Sequence, residues 1–359
     1  MVLTTCVFYF LLIFQYCYGV TVPTRKLIDG NEIPVLGFGT YLLTSEDVKI
    51  AIPAALKNGY RHIDTAFDYQ NEKDIGIALK EWFSTGGKRE DLFITSKLND
   101  ISRMLMQLPT QANRPSDVAE AAEMTLNNLG LEYVDMYLVH LPFTLQRTPD
   151  FRHLKYENGT YALDTSTDHI AVWKEMEKLV KAGKAKSIGL SNFNKTQVLR
   201  VWANSEIKPS NLQIETNVYI QQEELNELCK ELGIVLTGYS PLGSADTTHL
   251  RRRKRQTGGM LPVLEHPVVQ GIARKYGKSP AQIVLRYKLQ RNIVAIPKSR
   301  NSDHIKENIE VFDFQLSSSD MTRLRKLDQN GRYRKFDFLT FNVEHHPEYP
   351  FSYRIPDAN

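Results

Sequence analysis

The sequence predicts a (β/α)8 TIM barrel in a single domain, on three observations. After Pro23, apolar β-branched runs of strand length alternate with amphipathic stretches of helical length, the pattern of βαβ units and a parallel sheet. Eight such runs are present, the number that closes a barrel. The competing open sheet normally brings a G-x-G-x-x-G turn after its first strand. Here Gly37-Phe38-Gly39 is followed by Thr40, Tyr41 and Leu42, so the third glycine is missing.

Strands are expected at 35–40 (VLGFGT), 60–64 (YRHID), 92–98 (LFITSKL), 134–140 (VDMYLVH), 187–192 (SIGLSN), 212–217 (LQIETN), 235–240 (VLTGYS) and 293–297 (IVAIP). Each is short, β-branched and bounded by turn residues. The helical stretches between them include SEDVKIAIPAALKNG, PSDVAEAAEMTLNNLG, AVWKEMEKLVKAG and QEELNELCKELG. Their apolar residues recur every three or four positions, one stripe per helix. Gly59, Gly130, Gly183 and Gly233 close these stretches, where a left-handed cap suits glycine. Three loops are long, at 99–114, 141–167 and 241–265, and all leave the C-terminal ends of strands. The aromatic, proline-containing tail 331–359 has little helical period and is expected to fold over the pocket, completing a barrel that spans 20–359.

At 359 residues with 42% apolar composition the chain can bury a full core. The formal charge of +4 comes from Arg251-Arg252-Arg253-Lys254-Arg255; without that run the balance is slightly negative. A single basic loop on a neutral body makes a poor footprint for nucleic acid, and none is expected as a partner. The run is read as a solvated loop, as a steering element for an anionic cofactor, or, in an exported chain, as a cleavage site after Arg255. Residues 1–19 are read as a signal peptide, with an apolar stretch shorter than the ~20 residues a spanning helix needs; an uncleaved membrane anchor is the rival reading. The mature protein is therefore expected in the secretory-pathway lumen or outside the cell, without stable membrane insertion. Removing Cys6 and Cys17 with the signal leaves Cys229 alone, on a helix, as a packing residue. Asn158-Gly159-Thr160 and Asn194-Lys195-Thr196 are candidate glycosylation sites.

The chemistry is carried by Asp64 and Tyr69 in IDTAFDY, Lys97 in FITSKL and His140 in MYLVHLP, near the ends of strands two, three and four. Barrel geometry points all of them at one mouth. Reduction of a carbonyl needs a proton donor for the oxygen while hydride reaches the carbon. A free tyrosine, with a pKa of about 10, is a weak acid, and a neighbouring ammonium is expected to lower it. A carboxylate keeps that buried amine charged. Tyr69 is thus read as general acid, Lys97 as its tuner, Asp64 as the lysine's partner, and His140 as the group orienting the substrate oxygen. Taken singly, each has a plainer reading as a core, capping or solvated residue; their joint occurrence carries the functional one. No metal is assigned.

The strings GFGTY, DTAFDYQNE, SKL, YLVHLP, IGLSNF, QIETNVY, GYSPLGS and IPKS, in this order, resemble the aldo-keto reductase family across nearly all of 27–350. The resemblance implies a monomeric barrel that binds a nicotinamide dinucleotide in extended form. It implies Ser191, Asn192 and Gln213 at the carboxamide and Tyr239 stacked on the nicotinamide ring. It puts Ser240, Leu242, Ser244 and Asp246 along the pyrophosphate, Lys298 and Ser299 at the 2′-phosphate, and Glu307 and Asn308 at the adenine. A cation and a hydroxyl after the eighth strand suit a 2′-phosphate and favour NADPH, with NADH as the alternative. His304 stands where NADP-preferring relatives carry arginine, and nearby Arg300 is expected to compensate.

Tyr41, Leu141 and Phe67 are read as pocket walls, with His140 facing the substrate. Tyrosine and leucine at the first two positions resemble steroid-active members more than sugar-aldehyde reductases, so a bulky lipophilic ketone such as a steroid or ecdysteroid is expected. The function expected is NADPH-dependent reduction of an aldehyde or ketone. The rival is a cofactor-binding sensor or structural protein with little turnover, which would keep the same residues.

Overall fold

A computed structural model describes residues 20–98, 114–146, 155–157, 160–244 and 261–351. The expected signal 1–19, Asn158, Asp246 and the basic run 251–255 lie outside these. Eight parallel strands form one sheet: β1 (Phe38–Gly39), β2 (His62–Asp64), β3 (Phe93–Leu98), β4 (Val134–Val139), β5 (Ala185–Ser191), β6 (Asn211–Glu215), β7 (Val235–Tyr239) and β8 (Val294–Ile296). They stand side by side in chain order, and backbone bonds from Gly37 N–H to Ala295 O (2.8 Å) and from Gly39 N–H to Pro297 O (2.9 Å) join the last to the first. At Gly39 a Cβ would lie 2.9 Å from the Ile296 carbonyl oxygen, so closure requires glycine there.

The eight expected strands are all present, with ends that coincide or shift by up to three residues. The first is the most reduced, because 35–37 pair with the eighth strand through single bonds rather than a ladder. Around the sheet run α1 (Ser45–Lys57), α2 (Glu72–Ser84), α3 (Val118–Leu129), α4 (His169–Lys181), α5 (Lys195–Asn204), α6 (Glu223–Leu232), α7 (Pro267–Tyr276), α8 (Pro280–Gln290), α9 (Ser302–Ile309) and α10 (Ser318–Arg325). Thr44, Asn194 and Ser279 close capping boxes at α1, α5 and α8. Gly130 and Gly233 end α3 and α6 with φ of 65° and 71°, as their position in the sequence suggested. Cys229 is buried in the core, and burial pushes its thiol up to about 12. Among the described residues no helix is long and apolar enough to cross a membrane.

One feature of the fold was not anticipated. An antiparallel hairpin, Thr24–Lys26 with Glu32–Pro34, brings Leu27 and Ile33 against Phe93, Met136, Leu138, Val235 and Val294. Phe93, Val235 and Val294 begin their strands, so the hairpin plugs the end of the barrel opposite the loops. At the other end, Leu141, Phe143 and Leu145 of the loop after β4 cluster with Val343, Phe338, Phe341 and Tyr349 from the last thirty residues.

Candidate active site

Alternation along β3 decides which residues reach the mouth. Successive side chains point to opposite faces. Ser96 turns outward and donates to Glu72 at the start of α2 (2.7 Å), so Lys97 turns inward. There its ammonium, fully buried, donates to Asp64 Oδ1 at 2.7 Å, to the Thr65 carbonyl at 2.8 Å and to the Tyr69 hydroxyl at 3.3 Å. Asp64 ends β2, and a single turn of 3₁₀ helix, Phe67–Tyr69, follows it. That turn closes on Gln70 in the left-handed region (φ 56°) and lifts the phenol over the lysine. His140 follows the last residue of β4, its ring centroid 6.0 Å from that of Tyr69. The four residues singled out from the sequence thus meet at one place.

The electrostatics amend one expectation. Tyr69 is half-buried, and its phenol is pushed well above the ordinary value, first by the burial of its hydroxyl and then by the Asp64 carboxylate. Lys97 does not reverse this: the net direction is up, not down. The amine is itself lowered by burial, with Asp64 opposing that drop. The consequence is a phenol that holds its proton firmly until a stronger base, a developing alkoxide, is formed beside it. Burial, reinforced by Lys97, lowers His140 well below the usual imidazole range, so the ring is neutral near pH 7. Its Nδ1 is buried without a hydrogen-bond partner. A neutral ring carries one N–H to offer a substrate oxygen.

The residues assigned to the nicotinamide end lie beside this group. Gln213 Nε2 donates to Asp64 Oδ2 (2.7 Å), so one carboxylate holds both the glutamine and the lysine. Asn192, with φ of 64°, donates to the His140 carbonyl (3.0 Å) and to Ser191 Oγ (3.1 Å), and accepts from the Tyr239 hydroxyl (2.7 Å). Beyond β7 the chain turns sharply, with Ser240, Gly243 and Ser244 all at positive φ and Ser244 Oγ donating to Ser240 Oγ at 2.9 Å. Leu242 is partly buried and packs against the core there. The Gly243 N–H closes this turn on the Ser240 carbonyl (3.0 Å). Lys298 and Ser299 are half-buried after β8, and Asn301 caps α9, which carries Glu307 and the buried Asn308. His304 is exposed in the first turn of that helix. Arg300 is exposed and donates to Asp47 Oδ2 and to the Leu42 carbonyl, both at 2.8 Å, which ties it to the loop before α1.

Tyr41 packs edge-on against Tyr69, with centroids 5.0 Å apart. Its loop is held by Asn71, whose amide donates to the carbonyls of Thr40 (2.9 Å) and Leu43 (3.2 Å). Leu141 is buried in the apolar cluster beneath the C-terminal segment, also lining a small space with His169, Val172 and Phe193. Sequence reasoning missed Phe336, which touches both Tyr41 (5.8 Å) and Tyr239 (5.4 Å). It also missed buried Glu215, which ends β6 and accepts the backbone N–H groups of Lys335 and Phe336. No local pattern marks contacts between positions about 120 residues apart.

A phenolic proton held over a buried ammonium, with a neutral imidazole alongside, is equipped for acid chemistry on a carbonyl oxygen. At the mouth of a (β/α)8 barrel, that defines the class of protein: a barrel oxidoreductase. The chain belongs to the aldo/keto reductase family, whose profile matches residues 35–329. It is 42% identical over 334 residues to aldo-keto reductase family 1 member A1 of Gallus gallus (91% of this chain, 96% of the relative). It is also 42% identical to family 1 member C4 of Macaca fascicularis, over 91% of this chain and 96% of that one. The structure resembles the aldose reductase of Schistosoma japonicum, with a TM-score of 0.79 and 40% identity, covering 93% of this chain and all of that one. An aldo-keto reductase of Bombyx mori in complex with NADP matches with a TM-score of 0.79 and 34% identity over 93% of this chain and 100% of its own length.

Proposed function

We propose that this chain is an NADP-dependent reductase of aldehydes and ketones in which Tyr69 protonates the carbonyl oxygen. The observation that carries the reading is the ammonium of Lys97, shared between Asp64 Oδ1 (2.7 Å) and the Tyr69 hydroxyl (3.3 Å). NADPH, when bound, supplies the hydride to the carbonyl carbon. Ser191, Asn192 and Gln213 would hold its carboxamide, Tyr239 would stack on the ring, Ser240, Leu242 and Ser244 would follow the pyrophosphate, Lys298 and Ser299 would meet the 2′-phosphate, and Glu307 and Asn308 the adenine. The turn at 240–244, with Ser240, Gly243 and Ser244 at positive φ, suits the anionic bridge. His140 donates its one N–H to the substrate oxygen and orients it toward Tyr69. As the proton leaves, Lys97 stabilises the phenolate, and Asp64 keeps Lys97 charged. Saturable loss of NADPH absorbance with a panel of carbonyls, abolished in Tyr69→Phe, is the expected result; equal KM values for NADPH and NADH would overturn the cofactor preference.

The substrate is a bulky lipophilic ketone of the steroid or ecdysteroid type, bounded by Tyr41, Phe67 and the tail residue Phe336. Tyr41 and Phe336 in edge contact offer an aromatic wall rather than a polar one. A strong preference for glyceraldehyde over a steroid ketone in steady-state assays would refute this. The family resemblance favours a monomer, which sedimentation tests. The apolar stretch 7–13 supports export, tested by comparing medium with lysate after full-length expression.

A further inference from the structure

The turn 240–244 is held from the side of the C-terminal segment. Lys335 Nζ donates to the carbonyls of Gly243 and Ser244, the latter at 2.5 Å. The lysine is in turn placed by Glu215. That carboxylate, buried at the end of β6, accepts the Lys335 N–H with both oxygens (3.1 and 3.0 Å) and the Phe336 N–H at 3.0 Å. A buried carboxylate bonded to two consecutive N–H groups fixes that stretch of backbone in one register. The ammonium can therefore reach the turn only from one direction.

The peptide between Gly243 and Ser244 is planar and trans, so its N–H points opposite to its carbonyl. With the carbonyl oxygen on the ammonium, the Ser244 N–H is directed away from Lys335, to the other side of the turn. A cation on the carbonyl also polarises the peptide and strengthens that N–H as a donor. Resting on the reading that this turn takes the dinucleotide's pyrophosphate, we infer that Lys335 is a positioning residue for the cofactor: held by Glu215, it fixes the turn and aims the Ser244 N–H at the anionic bridge. The tail thereby governs how long the dinucleotide stays bound, as well as bounding the substrate pocket through Phe336.

The test uses the full chain and binary binding alone. NADPH and NADH are titrated by quenching of intrinsic fluorescence, and their release is followed by stopped flow. Lys335→Met is expected to weaken both nucleotides by the same factor, roughly ten-fold, through faster dissociation. Lys335→Arg should restore most of the loss, and Glu215→Gln should weaken both nucleotides by a smaller factor. A matched loss for NADPH and NADH is the signature, since a defect at the 2′-phosphate would spare NADH. Unchanged affinities in Lys335→Met, a loss confined to NADPH, or an arginine variant as weak as the methionine one would each overturn the inference. Wild-type protein that bound neither nucleotide would instead overturn the cofactor reading itself. Thermal unfolding of each variant separates misfolding from weakened binding.

Discussion

Replacing Lys97 by methionine isolates what the ammonium does for the proton transfer. Nζ, itself fully buried, lies 3.3 Å from the Tyr69 oxygen. At that separation, and an effective dielectric of about 20, full opposite charges attract by about 5 kcal/mol. With roughly half of the phenolate charge developed at the transition state, about 2.5 kcal/mol is lost, a drop of about 10²-fold in rate. The same change strands Asp64, which keeps only Gln213 as a side-chain donor. Breaking a buried pair in this way costs about 3–5 kcal/mol of stability. The double variant Asp64→Asn/Lys97→Met removes both charges and separates the two effects: stability returns, the rate does not. The assay is single-turnover oxidation of NADPH under saturating substrate, with urea unfolding of the same samples. Turnover in Lys97→Met within about five-fold of wild type, where Tyr69→Phe is inactive, would refute the electrostatic role.

Three further outcomes follow from the geometry. Glu72 is raised from 4.5 to about 7 by burial, against the hydrogen bonds of Ser96 and Asn128. An acid whose folded pKa lies above its unfolded one favours the native state least at high pH, so this group withdraws about 3 kcal/mol as pH rises from below 4.5 through 7. Glu72→Gln should match wild type in urea at pH 4.5 or below and exceed it at pH 8; a gap that does not widen with pH contradicts this. Because His140 is lowered well below its usual range, turnover should show no step near pH 6.5, and such a step lost in His140→Gln would contradict a neutral imidazole. Gly39→Ala presses a Cβ to 2.9 Å from the Ile296 oxygen and should destabilise the barrel by about 1–3 kcal/mol in urea unfolding; an unchanged midpoint would show that the closure yields at no cost.

The legible part of this protein was the part written in local pattern. The eight strands are short runs between helices with strong apolar stripes, and each was visible within ten residues. The acid group was legible for a related reason: Asp64, Tyr69, Lys97 and His140 each sit at or just beyond a strand end, and a barrel brings such positions to one rim. The N-terminal hairpin was not, since strands of three residues carry no periodicity. The fall expected for Tyr69 failed on a point of magnitude. Proximity to an ammonium is readable from spacing, whereas the depth of burial that outweighs it appears only when the mouth is assembled.

Asp64 is where the two halves of the site meet. One oxygen takes the Lys97 ammonium at 2.7 Å and the other takes the Gln213 amide at 2.7 Å. In the proposed reading Gln213 also serves the nicotinamide carboxamide, so the carboxylate orients the group that holds the hydride donor and the amine that supports the proton donor. Its charge is divided between a neutral amide and a cation, and the cation is the stronger claimant. An amide drawn toward the cofactor would leave Asp64 depending more heavily on Lys97, which favours the charged amine when the phenol must give up its proton. One buried carboxylate thus links cofactor position to acid strength without any change in the fold, and the rigidity of adjacent strand ends in a closed barrel is what holds that link to atomic tolerance.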